Sequence, residues 1–317
     1  MEVSVGTSME TYGVAGRMRG AALQIRVLGS MSVRRNGVPV ALPPSRKVRA
    51  LLAFLVLSPS PVGRSRLCDL LWDGPNDPRG ELRWCLSKMR TILDDADRRR
   101  VITSAHDLVA LELADCFVDA IEIDKAAHAG LAHIPDDRLA EICDLFGGDL
   151  LDGLHIDGSP EFGGWVAAQR HRYRALHIAV LDELAKRSPV ASEETFVRLD
   201  AWLRLAPFDP RAHEVLLGAL VQGGRLRDAD EHLAATIRAF EHEGLDWSAL
   251  RETWRAARAA AAPSVRVDTP PASVVSAGPD AAARVKLPAR RTTPLTTYST
   301  FRMRPASWAP MLRSRRA

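Results

Sequence analysis

At 317 residues and 46% hydrophobic side chains, the chain is long enough for two domains with a sizeable core. No apolar run approaches the roughly 18–20 residues of a membrane span, and Met1 to Gly20 lack the continuous apolar stretch of an export signal, so a cytoplasmic location is expected. The net charge of +4 conceals a division into net +7 over residues 23–111, −11 over 112–262 and +8 over 263–317, which predicts a polyanion partner for the first segment and a protein partner for the second.

Residues 1–22 are rich in Gly, Ser and Met and carry no pattern, so a flexible lead-in is expected. Leu23 to Leu28 then alternates apolar and polar residues as a strand does. Met31 to Arg34 and Val38 to Leu42 flank Asn36-Gly37, a pair suited to a tight hairpin turn. Pro43-Pro44 punctuates, and Ser45 is placed to cap a helix over Arg46 to Leu57. Pro59 to Gly63 breaks that helix, Arg64 to Trp72 forms a short second one with Trp72 as a core plug, and Asp73 to Pro78 separates it from a third.

The third helix, Arg79 to Leu93, is the informative one. Leu82, Cys85, Leu86, Met89 and Leu93 share one arc of the helical wheel, as a core face should. Arg79, Arg83 and Arg90 line one flank of the opposite side, and Trp84, Ser87, Lys88 and Thr91 look outward. A basic face carrying an outward Trp is suited to lie against something other than its own core, and DNA is the leading partner. Val101 to Ser104 and Leu108 to Leu111 then read as a hairpin around Ala105-His106-Asp107. Sheet, three helices and closing hairpin make a winged helix-turn-helix, in which the third helix enters the major groove and the wing reaches the neighbouring backbone.

From about Asp115 the pattern is helical throughout, over Asp136–Phe146, Pro160–Arg187, Ser192–Ala206, Arg211–Gln222, Arg225–Glu243 and Trp247–Ala261. Short turns at Pro207 to Pro210 and at Gly223-Gly224 pair the later helices into hairpins of tetratricopeptide type. The expected fold class is therefore mainly α with a small β component. Its parts are a lead-in (1–22), a winged helix-turn-helix domain (23–113), an all-α helical-hairpin domain (114–262) and a disordered basic tail (263–317), the last with eight prolines. The cysteines Cys68, Cys85, Cys116 and Cys143 lack any Cys-x-x-Cys spacing and read as reduced thiols. His171 and His177 lie six apart rather than three or four, so neither a metal nor another cofactor is expected. Nor is there a nucleophile elbow or paired carboxylates in an evident cleft, so an enzyme is not expected.

Two stretches carry a family resemblance. Val62-Gly63-Arg64-Ser65-Arg66-Leu67-Cys68-Asp69-Leu70-Leu71-Trp72 with Leu82-Arg83-Trp84-Cys85-Leu86-Ser87-Lys88-Met89-Arg90-Thr91-Ile92-Leu93 resembles the OmpR-type winged helix in its SARP-like form. Downstream, Phe146-Gly147-Gly148-Asp149-Leu150-Leu151-Asp152-Gly153-Leu154 and Phe162-Gly163-Gly164-Trp165-Val166-Ala167-Ala168-Gln169-Arg170 look like the bacterial transcriptional activation domain. Pro207 to His213 and Gly223 to Ala229 continue that match, which spans residues 23–258. The resemblance implies a SARP-type transcriptional regulator that binds repeated promoter sites, with two copies side by side, and helps recruit RNA polymerase. It departs from the pattern at the wing, where Ser104-Ala105-His106-Asp107-Leu108 lacks the usual Gly-Tyr pair. No receiver domain precedes the winged helix in this sequence, and no Gly-x-x-x-x-Gly-Lys-Ser/Thr loop occurs, so neither two-component phosphorylation nor an ATPase module is expected.

Phosphate contacts supply most of the affinity for DNA and base-edge contacts the specificity. Matched onto the family pattern, Trp84, Ser87 and Lys88 are the base-facing candidates: Lys donates to guanine O6 and N7, and Trp packs on a thymine methyl or a sugar. Arg79, Arg83 and Arg90 suit phosphate, as do Arg64 and Ser65 at the start of the second helix, with Arg46 and Lys47 as weaker candidates. Glu81 is poised either to accept from cytosine N4 or to complement its helix dipole. Trp165 and Arg170 are read as structural. The competing reading is a helical-repeat adaptor whose winged helix contacts protein.

Overall fold

The computed structural model describes residues 13–73, 77–104 and 106–261, so the basic tail from residue 263 and most of the lead-in lie outside the described residues. The end of the lead-in is not patternless: Val14–Gly20 form helix α1. Val14 is buried, and its amide donates to the Glu141 carboxylate (2.7 Å). Buried Val14, partly buried Met18 and long-range bonds from the Val14 amide to Glu141 and from Arg17 to Glu122 hold this helix, and they leave no periodic signal in seven residues.

Strands β1 (Leu23–Arg26), β2 (Ser32–Arg35) and β3 (Val38–Val40) form an antiparallel meander. Asn36 and Gly37 both take positive φ (48° and 79°), the condition of the two-residue turn that matches strand twist. A fourth strand, β7 (Phe117–Val118), lies parallel to β1 on the other side and gives the order β3-β2-β1-β7. The second sheet has the order β4-β6-β5, from β4 (Val62–Gly63), β5 (Val101–Thr103) and β6 (Leu108–Leu111). Its hairpin is the expected wing; β4, read from sequence only as a break, is held on it by pairing Val62 with Val109.

After β3 come α2 (Arg46–Val56) and, beyond β4, α3 (Arg64–Leu71) and α4 (Pro78–Leu93). Ser45 caps α2 by accepting from the Val48 amide (3.5 Å). Trp72 is not the interior plug expected. It ends α3 in an extended conformation and is half-buried, packed on the core with the Lys47 ammonium 5.2 Å from its ring.

Helices α5 (Asp119–Ala129), α6 (Asp136–Cys143), α7 (Pro160–Arg187), α8 (Glu193–Leu205), α9 (Pro210–Gln222), α10 (Leu226–His242) and α11 (Ser248–Ala261) follow, with a 3-10 turn at Leu131–His133. The fold is thus mainly α with a small β component, a winged helix joined to antiparallel helical hairpins. Helix α5 was missed in the sequence because its apolar residues are interrupted by acids that the fold buries. Asp119 is fully buried and accepts from the amides of Val27, Leu28 and Ala120 at 2.8–3.0 Å, tying the end of β1 to the start of α5.

One hydrophobic core runs without interruption from Val14 to Leu184, across residue 113. Helix α7, like the Asp119 tie, joins the winged helix to the helical region. Trp165 packs edge-on against Phe54 of α2 (5.0 Å between ring centres), and the Ser159 hydroxyl donates to the Leu71 carbonyl at the end of α3 (2.9 Å). Arg170 donates to the carbonyls of Leu150 (2.8 Å) and Leu151 (3.0 Å), pinning the loop before α7. The remaining helices enclose two smaller apolar clusters, one centred on Trp202, whose indole N–H donates to Asp209, the cap of α9.

Candidate nucleic-acid interface

Helix α4 begins at Pro78 rather than at Arg79, with a cap the sequence reading passed over. Asp77 accepts from the Gly80 amide (2.9 Å) with Pro78 in the first turn. A Cβ at Gly80 would fall 2.2 Å from the Asp77 carboxylate, so a larger residue there would make the capping side chain turn. At the other end, the Arg35 guanidinium donates to the carbonyls of Ile92 (2.8 Å) and Asp94 (3.0 Å), satisfying groups a helix terminus leaves without partners. Both ends are therefore fixed. The buried face is Leu82, Cys85, Leu86, Met89, Ile92 and Leu93, which includes every residue expected there.

The opposite face carries the candidate contacts. Trp84 is 48% exposed, an unusual state for an indole, and the Lys88 ammonium lies over its ring at 5.7 Å. At 100° per residue, Ser87 falls near the centre of the exposed arc, Trp84 and Lys88 to one side and Arg79, Arg83 and Arg90 to the other. Arg79, Arg83, Trp84, Ser87 and Lys88 are exposed and Arg90 is half-buried. Among the described residues Arg83 pairs loosely with Asp77 (3.7 Å), while Arg79, Lys88 and Arg90 have no carboxylate within 4.0 Å. A cationic side chain held on a rigid helix without an internal partner is available for an external anion. On the Trp84 side, Trp84, Lys88 and Thr91 line a groove of about 460 Å³ against Pro43 and Pro44.

Arg64 and Ser65 are placed differently from these. The Arg64 amide donates to the Asp107 carbonyl (2.9 Å), and its guanidinium lies 3.5 Å from the Asp107 carboxylate, with Asp107 at φ 62° near the wing tip. The wing therefore already occupies the first amide of α3 and part of Arg64. Ser65 is exposed. Arg46 lies within 4.0 Å of Asp157, and Lys47 covers Trp72.

The base of the wing is anchored by a group the sequence reading passed over. Arg100 is 2% exposed and donates to both oxygens of Asp115 (2.5 and 2.9 Å). This bidentate bond holds the Asp115 carboxyl well below the usual carboxylate range and raises the guanidinium. A spacing of 15 residues between two charged groups gives no local pattern, so only the fold reveals the pair. Ile102 and Leu108 leave apolar surface exposed on the wing; Ala105 at its tip lies outside the described residues.

No protein-family model matches the sequence and no curated protein is similar to it. Among solved structures, the chain is similar to Mycobacterium tuberculosis EmbR in complex with low affinity phosphopeptide, at 21% identity and a TM-score of 0.58. That similarity covers 76% of this chain and 66% of the other, a little under two thirds of its length. It is a likeness of fold, extending through most of the residues described above.

Proposed function

We propose that the chain is a sequence-specific DNA-binding transcriptional regulator of the SARP type, an activator that binds repeated promoter sites and helps recruit RNA polymerase. The observation that carries this reading is the exposed face of α4: four basic side chains, a serine and an exposed indole on one rigid helix capped at both ends. In this reading Arg79, Arg83 and Arg90, with Arg64 and Ser65, hold phosphates, and Trp84, Ser87 and Lys88 meet base edges. Residues 23–113 then serve as the DNA-binding domain and the acidic 114–262 as the activation domain that meets polymerase. The tail 263–317 adds basic charge, and the working location is the cytoplasm at the nucleoid. No catalysis, metal or other cofactor enters. The helical-repeat adaptor is favoured by one observation, the groove beside the exposed Trp84.

The two readings separate in one titration. Affinity for the gene's own upstream DNA is expected to fall steeply as salt rises, because each neutralised phosphate releases counterions. Arg83→Ala combined with Lys88→Ala should lower the affinity at least tenfold and reduce the salt slope by about 1. Absence of binding at low salt, or an affinity indifferent to the double substitution, sinks the regulator and leaves the adaptor.

A further inference from the structure

The loop Phe146 to Leu150, singled out in the sequence but not used by the DNA reading, forms one wall of a cleft of about 390 Å³. A face of α7 supplies Arg170, Tyr173, Arg174 and His177 at helical spacing, and the end of α8 supplies Arg204. A cleft of this volume is in the range of small-molecule sites. Three arginines converge on it against one carboxylate of the lining, Asp149.

The guanidiniums are only partly used. Arg170 donates through Nε and Nη2 to backbone carbonyls and has no carboxylate within 4.0 Å among the described residues. Arg174 holds Asp149 through Nη2 alone (3.0 Å), and Arg204 reaches Asp200 through Nη1. The other guanidinium N–H groups have no partner among the described residues. Planar forks of this kind match the geometry of carboxylate and phosphate oxygens.

The cleft is also preformed. Phe146 stacks flat on His177, with ring centres 4.1 Å apart and an interplanar angle of 2°. Burial pushes the imidazole down to about 4, so it is neutral and the arginines alone supply positive charge. The loop is fixed to the end of β1: the Gly29 amide donates to the Asp149 carbonyl (2.9 Å) and the Leu151 amide to the Val27 carbonyl (2.8 Å). Gly148, at φ 151°, permits that approach, since a Cβ there would stand 3.2 Å from the Gly29 Cα. A rigid wall lowers the ordering cost of binding.

We propose that this cleft binds a small ligand bearing an oxyanion, a phosphate- or carboxylate-carrying metabolite, through Arg170, Arg174 and Arg204. Inorganic phosphate and citrate are the probes that distinguish the two anion classes. At a tenfold excess over its Kd, the accepted anion should raise the melting temperature of the full chain by about 3–6 °C relative to chloride of equal ionic strength.

Arg174→Gln with Arg204→Gln, both largely exposed side chains whose loss spares the core, should remove most of that shift. Arg79→Gln with Arg83→Gln, on the α4 face, should leave it intact, which separates this site from the DNA surface and from general salt stabilisation. Isothermal titration of the same proteins should show one site, lost only in the cleft variant. Protection by neither anion, or protection that survives the cleft substitutions, overturns the assignment.

Discussion

Lys88→Ala is expected to cost roughly 1–3 kcal/mol of binding free energy concentrated at one base pair of the operator, whereas Arg90→Ala should weaken all duplexes about equally. The difference follows from where α4 holds the two charges. Lys88 is exposed on the Trp84 side of the outward arc, its ammonium steadied over the Trp84 ring, so it can be carried into a groove. Arg90 lies on the far flank in the last turn, half-buried, where a guanidinium reaches a phosphate rather than a base edge. Competition with operators changed at single positions reads the distinction directly: the Lys88 variant should lose discrimination at one position and keep it elsewhere. A loss spread evenly over positions would place Lys88 among the phosphate contacts instead.

The largest expected effect on stability is at Asp119. Alanine there strands the amides of Val27, Leu28 and Ala120 in the core, and each unsatisfied buried donor costs about 1–3 kcal/mol, so a loss of at least about 3 kcal/mol is expected. Burial, partly offset by those same three amides, pushes the carboxyl up from 3.8 to about 6. The sign follows from linkage: a group whose folded pKa is raised contributes stability that is complete below pH 3.8 and lost as pH climbs through about 6. The penalty of Asp119→Ala, measured by urea unfolding, should therefore be larger at pH 4.5 than at pH 7. A penalty that grew with pH would mean the amides favour the ionised carboxylate by more than its burial disfavours it.

Asp119 also illustrates what could not be read from sequence. The α4 face was legible because a 16-residue helix repeats its apolar positions often enough for the 3.6-residue period to separate core from surface. The Asn36-Gly37 hairpin and the Ser45 cap were legible because turn and cap chemistry is local. Strands β4 and β7, of two residues each, are too short to alternate; they are defined by pairing with β6 and with β1. The partners of Arg35 and Arg100 lie 57–59 and 15 residues away, which no periodicity reports. A buried acid such as Asp119 reads in sequence as surface, because its compensation comes from backbone amides across the fold.

The same distinction applies to the candidate site. Sequence assigned the residue types and their face on α4, but not that Asp107 of the wing already engages Arg64 at the start of α3. Nor did it show that α7 braces the winged helix through Phe54 and Leu71, so that α4 is presented on a scaffold sharing one core with the first helices of the acidic region. That bracing limits how far the α4 face can reorient independently of those helices.

The central claim is that the outward face of α4 lies in the major groove. It is tested most directly by photocrosslinking from Ser87→Cys, near the middle of that face, with Val197→Cys, exposed on α8, as the control off that face and the unsubstituted protein accounting for its four native cysteines. A thiol-attached photoreactive group at position 87 should crosslink to bases within the bound upstream fragment, at positions repeated between half-sites, while the group at position 197 should not. Crosslinks to DNA of equal yield from both positions, or none from position 87 under conditions where the complex forms, would contradict the account.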